Sequence, residues 1–241
     1  MSRPYTPPGI HPPVPPLPPS LRTWHAERAA FAQAGPCGDQ TLLLPFSAER
    51  IALVVIDVTG HGPARARLSA LLADAIATSL RYSYSPANAL VAADARLREG
   101  DDEHPYAIAF VAVVDPRNGL VRYASAGHDC AFVLDDRGKL RHLAPTAPML
   151  GIPLALQICD AFLCLDADET LVAATDGITE SRPPGTLDFF AADGTGCAVM
   201  RSLQNGSDPA YATLDAAYNH ARGTQIDDAA IVVANIGRSR W

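Results

Sequence analysis

Hydrophobic and polar positions change period several times along the chain. Residues 51–57, Ile-Ala-Leu-Val-Val-Ile-Asp, form an unbroken β-branched and aliphatic run, which predicts a strand buried on both faces. The run stops at Thr59-Gly-His-Gly-Pro63, and Pro63 suits the first turn of a following helix. In that helix Leu68, Leu71, Leu72, Ala75, Ile76 and Leu80 recur at spacings of three and four and define one apolar face. Ser85-Pro86 reads as an N-cap and first helical residue, with Leu90, Ala93 and Leu97 on the buried side of a second helix.

From residue 107 the pattern shortens to strands at 107–115, 120–126, 130–134 and 140–143. They are separated by the turn sequences Asp115-Pro-Arg-Asn-Gly119 and Asp135-Asp-Arg-Gly138, and the spacing predicts an antiparallel meander. Strands near 158–165 and 170–175, a helix from Asp208-Pro209 to about Ala221, and a last strand at 229–236 complete the reading. Ser20–Ala34 is weakly patterned and is read as a short helix. The order is α+β rather than a βαβ alternation.

Composition narrows the class. With 48% hydrophobic residues in 241, the chain can bury a substantial core. Its longest clean apolar run, Ala107–Val114, is far short of the ~20 residues of a membrane span. No signal-like leader is expected, and the expected setting is cytoplasmic. A net charge of -7 argues against nucleic-acid and anionic-membrane partners. Residues 4–19 hold nine of the 21 prolines, so residues 1–22 are read as a proline-rich disordered tail and 23–241 as a single domain. The five cysteines form no metal-binding pattern and are expected as reduced thiols packed like small hydrophobes.

Four aspartates share one placement. Asp57 ends the buried strand before a glycine turn; Asp176 follows Leu171-Val-Ala-Ala-Thr175 and precedes Gly177; Asp227, with Asp228 beside it, precedes the last strand; Asp39 follows Cys37-Gly38. A carboxylate at the end of an apolar strand is costly unless it is solvated, paired or bound to a cation. All-oxygen donor sets suit Mg²⁺ or Mn²⁺, and two such ions can promote displacement at phosphorus.

These residues carry a resemblance. Cys37-Gly-Asp39, Ile56-Asp-Val-Thr-Gly-His-Gly62, Tyr123-Ala-Ser-Ala-Gly-His128, Met149-Leu-Gly-Ile152, Ala174-Thr-Asp-Gly-Ile-Thr-Glu180 and Asp227-Asp-Ala-Ala-Ile-Val-Val233 resemble, in order, the motifs of the SpoIIE-type, RsbX-like bacterial serine phosphatases. Those form a branch of the metal-dependent PP2C/PPM family. The resemblance implies a PP2C-like sandwich of two antiparallel β-sheets flanked by α-helices. It also implies two Mn²⁺ or Mg²⁺ ions, with Asp57 and Asp176 central to catalysis. The metal ligands would be Asp39, Asp57, the carbonyl of Val58, Asp176 and Asp227; Asp228, Gly177 and His61 are secondary candidates. Water activated by the metals would attack phosphoserine without a phosphoenzyme. The implied substrate is a phosphorylated STAS-domain or other switch protein.

This sequence departs from the family at Cys37 and Ala230, and neither change removes a ligand. No sensor domain fits in the length, so a stand-alone catalytic domain is expected. His61 is read either as a general acid or as a residue holding its turn. His128 and Glu180 are read as structural braces. Arg65 and Arg67 are read as a solvated helix start or a contact for an acidic or phosphorylated partner. Two alternatives stay open: a non-catalytic interaction module with this fold, and a metal-dependent hydrolase of small phosphate compounds.

Overall fold

The structure, a computed structural model, describes residues 21–30, 37–47, 50–60, 62–99, 105–155, 157–225 and 227–237. The elements run β1 (Leu21–Arg28), β2 (Gln40–Ser47), β3 (Arg50–Val58), α1 (Pro63–Ser83), α2 (Pro86–Arg98), β4 (Ala107–Asp115), β5 (Leu120–Ala126), β6 (Ala131–Leu134) and β7 (Leu140–His142). They continue with β8 (Ala161–Cys164), β9 (Thr170–Ala174), α3 (Asp176–Thr179), α4 (Ala191–Asn205), α5 (Pro209–His220) and β10 (Ala229–Ile236). One sheet has the order β1-β10-β9-β6-β7 and the other β2-β3-β4-β5-β8. All named pairings are antiparallel.

The two-residue period of β3 explains its wholly apolar sequence. Ile51, Leu53 and Val55 pack between the sheets with Phe110, Val133, Leu171 and Val232. Ala52, Val54, Ile56 and Val58 point the other way, onto Leu72, Ile76 and Leu80 of α1 and Leu90 and Leu97 of α2. The outer face of the other sheet does the same with α4 and α5, where Phe132, Val172 and Ile231 meet Val199 and Leu214. Helix pair, sheet, sheet and helix pair thus stack in four layers, as the expected sandwich requires. Each fully buried Leu, Ile, Val or Phe contributes roughly 1.5–3 kcal/mol.

Five expectations need correction. The segment read as a helix from Ser20 is strand β1, because residues 21–28 pair along their whole length with the Val/Ile-rich β10; tertiary pairing overrides weak local preference. β1 starts at Leu21, two residues inside the stretch read as tail, and residues 1–20 lie outside the described residues. The meander is split: β4 and β5 pair in one sheet, while the chain crosses at residues 127–130 so that β6 and β7 pair in the other. Leu71 is exposed, since the buried face of α1 runs through Ser69, Leu72, Ala73, Ile76 and Leu80. The cysteines are free, but none is buried: Cys37 and Cys130 are half-buried and Cys159, Cys164 and Cys197 exposed.

Candidate metal centre

Parity and pairing bring the aspartates to one rim of the sandwich. On β3, Asp57 has the same parity as Ile51, Leu53 and Val55, so period two turns it toward the space between the sheets at the strand's last turn of pleat. Asp39 precedes β2, whose Gln40 pairs with Ile56. In the other sheet β9 ends at Ala174, opposite Ile231, and Asp176 opens the short helix α3 just beyond it. Asp227 and Asp228 precede β10. The ends of β3 and β9 and the starts of β2 and β10 therefore share one rim.

The residues there are not equivalent. Asp39 is only 4% exposed, Asp57 and Asp176 are half-buried, and Asp227 is exposed. Oδ2 of Asp39 is buried without a hydrogen-bond partner. Burial and the neighbouring charges of Asp57, Asp228 and Asp176 push the Asp39 carboxyl well above the usual carboxylate range, against a Thr175 hydroxyl that favours ionisation. Burial, with repulsion from Asp176, Asp227 and Asp228, raises Asp57 to about 7, and a hydrogen bond shared with Asp39 works the other way. Asp176 is also raised, by burial and then by Asp227 and Glu180. No ion pair among the described residues involves Asp39, Asp57 or Asp176.

Among the described residues no group of three or more His, Cys, Asp or Glu side chains is closed into a formed metal cage. The donor chemistry nonetheless fits a hard cation. The groups are carboxylate oxygens, those of Asp39, Asp57 and Asp176 repel one another, and the orphaned Oδ2 of Asp39 is satisfied either by a proton shared with Asp57 or by a cation.

Of the secondary candidates, Asp228 and Gly177 make structural contacts at the rim. Asp228 is buried, and its carboxylate accepts the backbone N–H groups of Ala30 at 2.8 Å and of Gly38, tying both ends of the 30–38 segment to β10. That contact sets the start of β2 and hence Asp39. Gly177 lies against the main chain at Asp228, where no side chain fits. Its role is steric. His61 lies outside the described residues. Glu180 braces its loop through the main chain, its N–H donating to the carbonyl of Asp176 at 2.6 Å, while its side chain is exposed. His128 is fully buried against Phe110, with ring centroids 5.9 Å apart, and burial lowers its pKa to about 4.

Sequence reasoning underrated Arg65. Its stem crosses the two glycine turns that carry the first two aspartates: a Cβ at Gly60 would lie 3.3 Å from its Nε, and one at Gly38 3.7 Å from its Cβ. The signal was the spacing, since Arg65 is three residues into a helix that starts directly after the Asp57 turn.

Compared with known proteins, this architecture is that of the PP2C phosphatase fold. The PP2C domain of SpoIIE from Bacillus subtilis superposes with a TM-score of 0.75 at 17% identity, over 91% of this chain and 64% of that one. RsbX, solved in complex with magnesium, gives 0.66 at 12% identity, over 90% and 96%. The family described as stage II sporulation protein E (SpoIIE) matches residues 47–237, and the chain belongs to it. Among curated relatives, the phosphoserine phosphatase RsbP of Bacillus subtilis is 27% identical over 135 residues, which are 54% of this chain and 34% of RsbP. The chain thus spans about a third of that relative's length. No described helix is long and apolar enough to cross a membrane.

Proposed function

We propose that this chain is a metal-dependent protein serine/threonine phosphatase that removes phosphate from phosphoserine. The observation that carries the reading is the rim itself: four aspartates from four separate segments of two sheets, three of them with pKa values raised by burial and mutual repulsion. A scaffold gains nothing from such a cluster, whereas an enzyme that recruits cations needs one.

Asp39, Asp57, the carbonyl of Val58, Asp176 and Asp227 would hold two ions of Mn²⁺ or Mg²⁺; RsbX, of the same fold, was solved in complex with magnesium. When bound, such ions acidify water and screen the charge of a phosphoryl group. The chain's own residues do the rest. Asp57, whose carboxyl is raised to about 7 by burial and its acidic neighbours, would serve as a ligand in its ionised form. Asp228 and Gly177 fix the segments that present Asp39 and Asp176. Arg65 supplies a positive charge at the mouth for the anionic substrate. The substrate we propose is a phosphorylated STAS-type or other switch protein, as the motif resemblance implies, and the proposed setting is the cytoplasm; the similarity to RsbP, a phosphoserine phosphatase, supports phosphoserine as the target group.

The test is hydrolysis of phosphoserine peptides, p-nitrophenyl phosphate and nucleoside phosphates with Mn²⁺, with Mg²⁺ and with EDTA. Turnover of phosphoserine that needs the metal and exceeds that of nucleotides supports the reading. Activity that survives EDTA, or is lost on thiol alkylation, contradicts it.

A further inference from the structure

Beyond Asp176 opens a second feature that shares that one residue with the metal centre. A cleft of about 490 Å³ runs from Asp176 between the β5–β6 crossing and the start of α4. Its polar lining is acidic, with Asp129, Asp176 and Glu180, and no lysine or arginine lines it. Its apolar lining includes Ile108, Phe189 and Ala192. His128 also lines it; that side chain is 1% exposed, and neither ring nitrogen has a hydrogen-bond partner of good geometry, although the Ala174 main chain lies close enough to favour a proton there. The ring is neutral at pH 7, so it adds no positive charge behind the acids.

An acidic rim and an apolar wall, with no cation lining them, are what a long cationic side chain needs. Its methylenes pack on the wall while its head group donates to the acids. One guanidinium already lies against the same wall at the edge of the cleft. Arg182 stacks over Phe189, 4.8 Å from the ring centroid, with Nη1 3.9 Å from a carboxylate oxygen of Glu180.

We propose that this cleft is a specificity pocket for a lysine or arginine side chain of the substrate, within two residues of the phosphoserine. Sharing Asp176 with the metal centre sets that short spacing, because an extended chain advances at most ~3.6 Å per residue. The inference rests on the phosphatase reading for its location, but its test does not depend on turnover.

The experiment uses phosphoserine peptides with Lys, Ala or Glu at each of the two positions on either side. Binding is read by fluorescence anisotropy in EDTA, and kcat and KM in Mn²⁺. At one position at least, Lys should bind about tenfold tighter than Glu, with the difference in KM rather than kcat. In the double variant Asp129→Asn, Glu180→Gln the Lys/Glu ratio should fall to within about twofold of unity, and Glu180→Lys should shift it toward Glu. A flat binding profile in wild type overturns the pocket even if every peptide is hydrolysed. Loss of turnover on all peptides with the binding preference intact overturns the phosphatase reading instead. If the double variant keeps the preference but binds one Mn²⁺ fewer than wild type by calorimetry, the cleft is a metal subsite and the proposal fails.

Discussion

Gly177 sits so close to the carbonyl of Asp228 that a Cβ built on it would stand 1.8 Å from that oxygen. The contact locks the start of α3, and with it Asp176, to Asp228, just before β10 and next to Asp227. Gly177→Ala must therefore push the two segments apart. We expect a loss of about 1–3 kcal/mol in urea unfolding, together with a fall in metal-dependent turnover larger than the unfolded fraction accounts for. Unchanged stability in that variant would mean that the two segments are not held in register by this contact.

Asp228 and Asp227 are neighbours with opposite duties. Asp228→Asn puts an NH₂ group where one of two backbone N–H donors now points, and should cost about 1–3 kcal/mol without metal. Asp227 is exposed, and Asn can still accept the N–H of Asp228 as its Oδ1 now does at 2.8 Å. Asp227→Asn should therefore stay within about 0.5 kcal/mol of wild type in EDTA and show its effect in a smaller Mn²⁺-induced shift. Melting curves of both variants with and without Mn²⁺ check the contrast.

The raised pKa of Asp57 has a defined pH signature. A folded-state carboxyl at about 7 binds its proton more tightly than the unfolded one at 3.8, so its contribution to stability is present at low pH and is lost as pH rises between those values. His128, lowered to about 4, acts in the opposite direction over an overlapping window. Comparing wild type with Asp57→Asn cancels the histidine. In EDTA the variant should gain on wild type as pH rises from 5 to 8, as read by denaturant midpoints. A difference that is constant with pH would show that Asp57 is not strained by its neighbours.

Arg65 and Arg67 offer a matched pair on one helix. Arg65 crosses the glycine turns at the rim, whereas Arg67 is exposed. Arg65→Gln should raise KM for a phosphoserine peptide several-fold, by roughly 1 kcal/mol of lost charge contact, with a smaller change in kcat. Arg67→Gln is expected to leave KM unaltered. Equal effects from the two would reduce Arg65 to part of a general surface field.

Much of this was legible in the sequence because the signals were local. The period of 51–57, the Ser85-Pro86 cap and the Asp208-Pro209 cap are each decided by a few adjacent residues, and each element formed where the pattern put it: β3, α2 and α5. Ser85 and Asp208 both accept backbone N–H groups of their helices. What the pattern missed depends on distant partners. β1 is a strand because β10 lies beside it, and no residue of 21–28 announces that. α4 carries Gly194 and Gly196, which depress helix propensity; Gly196 is tolerated where the helix packs against Leu140 and Leu134. At the rim the aspartates were visible as carboxylates ending apolar strands. The division of labour between Asp227 and Asp228 was not, since it depends on which of the two accepts the N–H groups of Ala30 and Gly38.

The central claim is that the aspartates at the rim are held close for a cation, and thermal melts of wild type and Asp57→Asn, each in EDTA and in Mn²⁺, test it most directly. Two like charges ~5 Å apart at an effective dielectric of about 20 repel by roughly 3 kcal/mol, and either a cation or the loss of one carboxylate relieves this. At a hundred times Kd, Mn²⁺ should stabilise wild type by about 2.7 kcal/mol, or ~5–10 °C for a chain of this size. Asp57→Asn should melt in EDTA at or above the wild-type temperature, lose most of the Mn²⁺ shift and show no metal-dependent turnover. A variant that is clearly less stable in EDTA yet keeps the full Mn²⁺ shift would contradict the account, because Asp57 would then be an ordinary structural carboxylate and the cation, if bound, would be held elsewhere.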